Sequence, residues 1–389
     1  MVKRTYFHSL LLISVCCVML FSQQQPKSEP LDPASPASVQ STIEAPLTQL
    51  TLTPGKPIPG LERSNVVARP IQCTGEGGVL MEIPLPPNYR DYRVASLTPS
   101  GGRFLDPSAI PGLYDLFLLS FFPSDSGVDL LYYGTEENKQ SDSRMVTDEG
   151  RVINQKTSAG EHRNFLVRFG RDGQYKSMAR LPSGRFYLKM AELASGELLL
   201  LSYDKTNRTP LLELTDSDGK PIRGLTLQGG LVDYGVLHQA EAGNDIDAAH
   251  AETSVAGWQF IPSRGRVLLY RPRARAPIME IGNGGFTREV TLEITAGYDL
   301  DSFVPSTGGW FARFRRSSGT GEHDGMDSSA KNRNFLMAEL NPADGSIRRL
   351  FAMEDGSFFN IACEVDGKFI SYSTDLGSQF LLSYTDVPK

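Results

Sequence analysis

Apolar residues along this chain come in short runs. From about Val66 onward no stretch sustains the 3.6-residue period of an amphipathic helix, while brief Val, Leu, Phe and Tyr segments recur between glycine turns. That pattern predicts an all-β body. The first residues read differently. Lys3 and Arg4 precede the apolar run Leu10 to Phe21, then Ser22 and three glutamines, the pattern of an export leader. Residues 1–22 are expected to be a signal peptide. An uncleaved N-terminal anchor is the alternative, although a membrane span wants roughly 20 apolar residues. Residues 23–46, rich in Gln, Pro, Ser and Ala, read as a disordered tether with little to bury. Residues 47–389 are the folded unit.

The body repeats. Arg163-Asn164-Phe165-Leu166 returns as Arg333-Asn334-Phe335-Leu336, and each copy runs into an Asp-Gly turn, Asp172-Gly173 and Asp344-Gly345. Weaker copies start at Arg208 and Arg275 and reach Asp218-Gly219 and Gly284-Gly285. The intervals between these arginines, 45, 67 and 58 residues, suit four-stranded units with insertions. A second column of turns stands upstream, at Gly127, Gly196, Gly265, Gly309 and Gly367. Two tight hairpins per unit mean four strands. The units are about 66–106, 113–181, 186–227, 231–294, 299–353 and 358–384: a β-propeller of six four-stranded blades, with five or seven as alternatives. The last unit has only three strands. Its missing fourth, which would otherwise leave a raw sheet edge, is expected from the alternating stretch Leu47 to Thr53, closing the ring.

Phe169-Gly-Arg-Asp-Gly173 and Leu214-Thr-Asp-Ser-Asp-Gly219, each followed by a short apolar strand, resemble the Phe-Asp-x-Asp-Gly element of NHL and TolB-like six-bladed propellers. The resemblance covers about residues 66–384 and implies a fold, not an activity. Irregular blade lengths and long insertions depart from the NHL pattern.

Strand order alone says where function should sit. Chain direction alternates within a blade, so all the tight turns share one face. The long insertions 134–162, 228–254 and 317–332 belong to the other class of connection and crowd the opposite face, where binding is expected. Innermost strands begin near the channel mouth on that face, and Asp115, Lys189, Gln259, Asp299, Asp301 and Asn360 are its candidate residues. Glu192 approaches the tight-turn end instead. A ring of carboxylates and amides on the axis could hold a divalent cation, as sugar-lactonase-type propellers do; polar lining of a watery channel is the plain alternative. Arg264, Arg266, Arg271, Arg273 and Arg275, with Arg313, Arg315 and Arg316, could meet an anionic glycan or phosphate, or be a solvated strand edge.

Composition excludes more than it identifies. Lys+Arg 39 against Asp+Glu 45 gives a net charge of −6, and removing Lys3 and Arg4 leaves 37 basic residues. Nucleic acid is therefore not an expected partner. No GxSxG, HExxH, calcium-loop or phosphate-loop spacing occurs, so no catalytic residue is assigned and no cofactor is required beyond the cation just named. Cys73 and Cys363 remain outside the leader, on the inner strands of the first and last blades. A closed ring makes those blades neighbours and the pair a candidate disulfide; two buried thiols are the alternative. The functional expectation is an exported, monomeric binding or scaffold module, secreted or periplasmic, meeting a protein or glycan on the long-loop face. It touches membrane only through an uncleaved N-terminus. The alternative is a metal-dependent hydrolase or lactonase with its cation on the axis.

Overall fold

The computed structural model describes residues 47–58, 68–74, 77–85, 91–137, 140–146, 152–158, 161–204, 206–207, 209–226, 258–263, 265–271, 277–294, 297–316, 335–352, 361–374 and 380–389. Two short strands come first, β1 (Leu47–Gln49) and β2 (Lys56–Pro57). Blade 1 is β3 (Ala68–Cys73), β4 (Val79–Leu85), β5 (Asp91–Thr98) and β6 (Gly101–Phe104). Blade 2 begins with β7 (Tyr114–Ser124) and β8 (Gly127–Thr135). A separate hairpin follows, β9 (Gln140–Val146) and β10 (Val152–Ser158), before β11 (Arg163–Gly170) and β12 (Tyr175–Arg180) complete the blade. Blade 3 is β13 (Arg185–Glu192), β14 (Leu198–Asp204), β15 (Thr209–Thr215) and β16 (Pro221–Leu225). Blade 4 is β17 (Gln259–Ser263), β18 (Arg266–Tyr270), β19 (Ile278–Gly282) and β20 (Gly285–Val290). Blade 5 is β21 (Tyr298–Val304), β22 (Trp310–Arg316), β23 (Phe335–Leu340) and β24 (Ile347–Ala352). The last is β25 (Ile361–Val365), β26 (Lys368–Thr374) and β27 (Phe380–Asp386).

Six blades stand around one axis, with the boundaries that the turn columns predict. The closing strand needs a correction. Leu47–Gln49 does not complete blade 6; it pairs parallel with β24 as a fifth strand on the outer edge of blade 5. The fourth strand of blade 6 is Lys56–Pro57, antiparallel to β27. Alternation marks Leu47 to Thr53 as a strand but does not name its partner. Proline is compatible with a strand at a sheet edge, where its missing N–H goes unused, and that is the place Pro57 occupies.

The core lies between blades. Leu80 and Val94 of blade 1 pack with Phe121 and Phe165 of blade 2. Leu268 and Ile278 of blade 4 meet Phe303 and Trp310 of blade 5. Phe311 and Phe351 meet Phe369 edge-on at 5.1 Å and 6.0 Å. Val79 and Met81 of blade 1 join Cys363 and Ile370 of blade 6. There the ring is locked covalently, Cys73 to Cys363, with Cα atoms 6.1 Å apart. Five of the six innermost strands, β3, β7, β13, β21 and β25, carry a register shift against their partner. Such bulges sharpen the local twist and re-aim side chains toward the axis.

The tight-turn face is fastened from blade to blade. Arg103 of blade 1 donates to the turn carbonyls of Arg171 (3.0 Å) and Asp172 in blade 2. Arg168 of blade 2 donates to the Ser217 carbonyl of blade 3. Arg223 of blade 3 lies against Gly285 of blade 4. Arg288 of blade 4 donates to the Ala343 carbonyl of blade 5 at 3.0 Å, and Arg349 of blade 5 to the Pro388 carbonyl beyond blade 6. Four of these arginines, Arg103, Arg168, Arg288 and Arg349, bond to backbone carbonyls outside their own blade, and charge-assisted bonds of this kind are among the stronger ones. Closer to the axis, Ser306 bridges both Ser263 and Glu364, drawing three inner strands together. Buried Glu364 accepts from the amides of Gly308 (2.9 Å) and Gly367 (2.6 Å). Ala194 N–H reaches Gly265 O at 3.0 Å across the junction of blades 3 and 4. These contacts draw the inner strands together at the tight-turn end.

Candidate functional site at the channel mouth

Asp115, Gln259 and Asp299 stand in the first two residues of their inner strands, at the long-loop end of blades 2, 4 and 5. Asp299 is exposed and paired in register with Arg315. Asp301 occupies the bulge of β21 and accepts from Ser302 Oγ at 3.2 Å. Lys189 lies deeper, in mid-strand on β13. Asn360 and the insertions 228–254 and 317–332 lie outside the described residues, as does much of 134–162 apart from its hairpin. Arg264, Arg273 and Arg275 also fall outside. Arg266 is engaged by Glu280 at 3.0 Å, and the Arg271 guanidinium stacks 5.0 Å from the Trp258 ring.

Two ionisable side chains, one in blade 1 and one in blade 3, act on one another. Burial pushes Glu82 of β4 up to about 7, with the Lys189 ammonium opposing that rise. Burial likewise brings Lys189 down to about 8, against the pull of Glu82. Glu82 belongs to blade 1 and Lys189 to blade 3. Glu82 escaped the sequence reading because it sits in the apolar run Val79 to Leu85, where a single carboxylate looks like an interruption of a strand.

A hydrogen-bonded polar pair at the mouth belongs to blade 2. His162 Nε2 donates to Asp115 Oδ2 at 2.9 Å. The His162 ring lies 5.5 Å from that of Tyr133, which meets Phe186 of blade 3 edge-on at 5.3 Å. Asp115 takes a left-handed backbone, φ +51°, a conformation uncommon outside glycine, though aspartate tolerates it better than most residues.

Two carboxyls lie together at the opposite end, between blades 2 and 3. Asp129, 2% exposed, is held up at about 7 by burial and by Glu192; the Arg168 guanidinium and the Ser124 hydroxyl act the other way. Glu192 is raised as well, by burial and then by Asp125, and it too is hydrogen-bonded by Ser124. It sits at the tight-turn end, as its position before Gly196 suggests. A carboxyl raised in the folded state binds a proton that the unfolded chain has lost, so this site lowers stability as pH climbs from about 4 to 7. Asp129→Asn removes that cost. The variant should unfold at higher temperature than the native protein at pH 8, with the gap shrinking toward pH 4. Near neutrality the cost is on the order of 4 kcal/mol. Melting curves across pH check this, and a gap that does not vary with pH would contradict it.

Among the described residues no group of three or more His, Cys, Asp or Glu side chains is placed to hold a metal ion.

No protein-family model matches the chain, and no curated protein does. Several solved structures are loosely similar. One is a protein of unknown function from Bacteroides caccae, 11% identical over 72% of this chain and 80% of its own, with a TM-score of 0.34. Another is prolyl oligopeptidase B from Galerina marginata, 10% identical over 83% of this chain and 49% of its own, TM-score 0.38. A third is dipeptidyl peptidase 4 from Porphyromonas gingivalis, 10% identical over 83% and 45%, TM-score 0.34. The chain thus spans about half the length of the two peptidases. At these scores the likenesses carry no argument about activity, and the propeller rests on its own strand order.

Proposed function

We propose that this is an exported binding or scaffold module, a propeller of NHL or TolB-like type, whose protein or glycan ligand meets the long-loop face. One observation carries the reading. The tight-turn face is fastened around the ring by Arg103, Arg168, Arg288, Arg349 and Glu364, each spent on a neighbouring blade. Side chains committed to holding blades together are poorly placed to recognise anything else. The mouth residues Asp115, Gln259 and Asp299 stand at the long-loop end, where strand order leads the insertions to be expected. Export is supported by the leader pattern and by the Cys73–Cys363 bond, since disulfides persist in oxidising compartments.

A hydrolase with an axial cation is the competing reading, and it demands three or four oxygen or imidazole ligands within about 2.0–2.6 Å of one point. Elemental analysis of the mature protein, with melting in the presence and absence of EDTA, separates the two. The binding reading expects no stoichiometric divalent metal and an unchanged midpoint. One bound metal per chain whose removal lowers the midpoint would favour the hydrolase.

A further inference from the structure

The corner of blade 2 at the channel mouth combines exposed aromatic rings with an acidic residue held in a left-handed backbone. Tyr114 and Phe117 are 39% and 37% exposed, although almost every other aromatic ring on the inner strands is buried. Register places both on one side of the sheet. Tyr114 stands opposite Thr135 and Phe117 opposite Tyr133, because the bulge between them absorbs one residue. The same bulge turns Asp115 into its left-handed conformation. That backbone is held from below by Gly134, where a Cβ would stand 2.7 Å from Leu116 Cδ2 and 3.0 Å from the Tyr114 carbonyl. It is held from the side by His162, 12% exposed, whose N–H fixes the Asp115 carboxylate; that carboxylate remains 60% exposed. Strained, over-determined backbone beside exposed rings points to function.

We propose that Tyr114, Phe117, Asp115 and His162 form a binding site for a neutral sugar ring of a glycan. The proposal rests on the reading of the long-loop face as the ligand face, and it names the ligand's chemistry. A pyranose has one face of C–H groups, suited to flat aromatic surfaces, and a rim of hydroxyls, suited to a carboxylate oriented by an imidazole. Sites for small ligands take this form, apolar walls with a few placed polar groups. The carboxylate disfavours an anionic sugar. Neighbouring charges do not make the corner a cation trap: Glu161 is engaged by Arg163 at 2.8 Å and Glu136 by Arg180 at 2.6 Å.

The experiment is titration of the full mature chain with cellotetraose, chitotetraose and maltotetraose, read by calorimetry and by saturation-transfer NMR. At least one should bind. Phe117→Ala and Asp115→Asn, both checked for native melting, should each weaken it by about tenfold or more. Tyr114→Ala serves in place of either variant that fails to fold. No binding of any of the three at about 10 mM, well beyond the weakest useful affinity, overturns the proposal. So does binding that the variants leave unchanged. Hydrogen exchange on the same samples separates this site from the face it stands on. Protection on the long-loop face away from residues 114–117 and 162 keeps the face and overturns the site. Protection confined to the tight turns overturns both.

Discussion

A chain that begins at residue 59 should melt far below one that begins at residue 47. The N-terminal strap fastens two blades in succession. Leu50 N–H bonds to the Ala352 carbonyl at 2.8 Å on blade 5, and Ile58 N–H to the Phe380 carbonyl at 2.9 Å on blade 6. Between them Thr53 N–H reaches Thr385 Oγ1 at 2.8 Å. Gly55 crosses so near blade 6 that a Cβ would lie 2.7 Å from the Leu381 Cβ. Leu50 and Ile58 are both buried. Burying each side chain contributes about 1.5–3 kcal/mol, and each hydrogen bond adds about 1 kcal/mol. Losing the whole strap therefore costs on the order of 5 kcal/mol or more, and it also exposes β27 as an open edge prone to pairing between molecules. A chain beginning at residue 54 divides the effect. It loses β1 but keeps β2, so its midpoint should fall between the other two. Thermal melting of the three chains measures the series. A start at 54 that is as damaging as a start at 59 would mean that Leu47–Gln49, not Lys56–Pro57, closes the ring.

Breaking the Cys73–Cys363 bond should have an effect of similar size. The two cysteines are 290 residues apart in sequence, so the cross-link restrains nearly the whole unfolded propeller. In the chain-entropy account a loop of that length contributes roughly 5 kcal/mol, or about 3 kcal/mol where the unfolded chain keeps residual structure. The bond joins the same two blades as Tyr384, whose hydroxyl donates to the Gly77 carbonyl at 3.1 Å. Noncovalent packing at this junction survives reduction, so the reduced protein should still fold but melt lower by roughly 4–8 °C. A Cys73→Ser, Cys363→Ser variant should match the reduced native protein and show no further response to reductant. A double variant that melts like the oxidised native protein would contradict the role assigned to the bond.

Sequence and structure agree where the information is local. Asp172-Gly173, Asp218-Gly219 and Asp344-Gly345 need only their own turns to form, and they mark blade edges without reference to anything distant. The fasteners were not legible in the same way. Arg103, Arg168, Arg223, Arg288 and Arg349 recur every 55–65 residues, but their partners are backbone carbonyls and glycine turns of the next blade, which no side-chain pattern announces. The strap shows a similar limit. Lys56-Pro57 is too short and too proline-marked to read as a strand, and becomes one only because an outer edge has no use for the missing N–H. At the mouth, Asp115 could be placed by counting strands. Its bond to His162, 47 residues later, depends on how an insertion returns to the sheet. Glu82 and Asp129 are the reverse case. Both lie within strands, and only burial between packed blades makes their carboxyls unusual.

We propose an exported ring closed upon itself. The most direct measurement is a non-reducing peptide map, with intact mass, of the protein recovered from outside the cytoplasm. It should show a chain starting near residue 23 and one cross-linked pair of peptides containing Cys73 and Cys363. A chain that keeps its first residues, stays inside the cell and has both thiols open to alkylation would contradict both the export and the covalent closure of the ring.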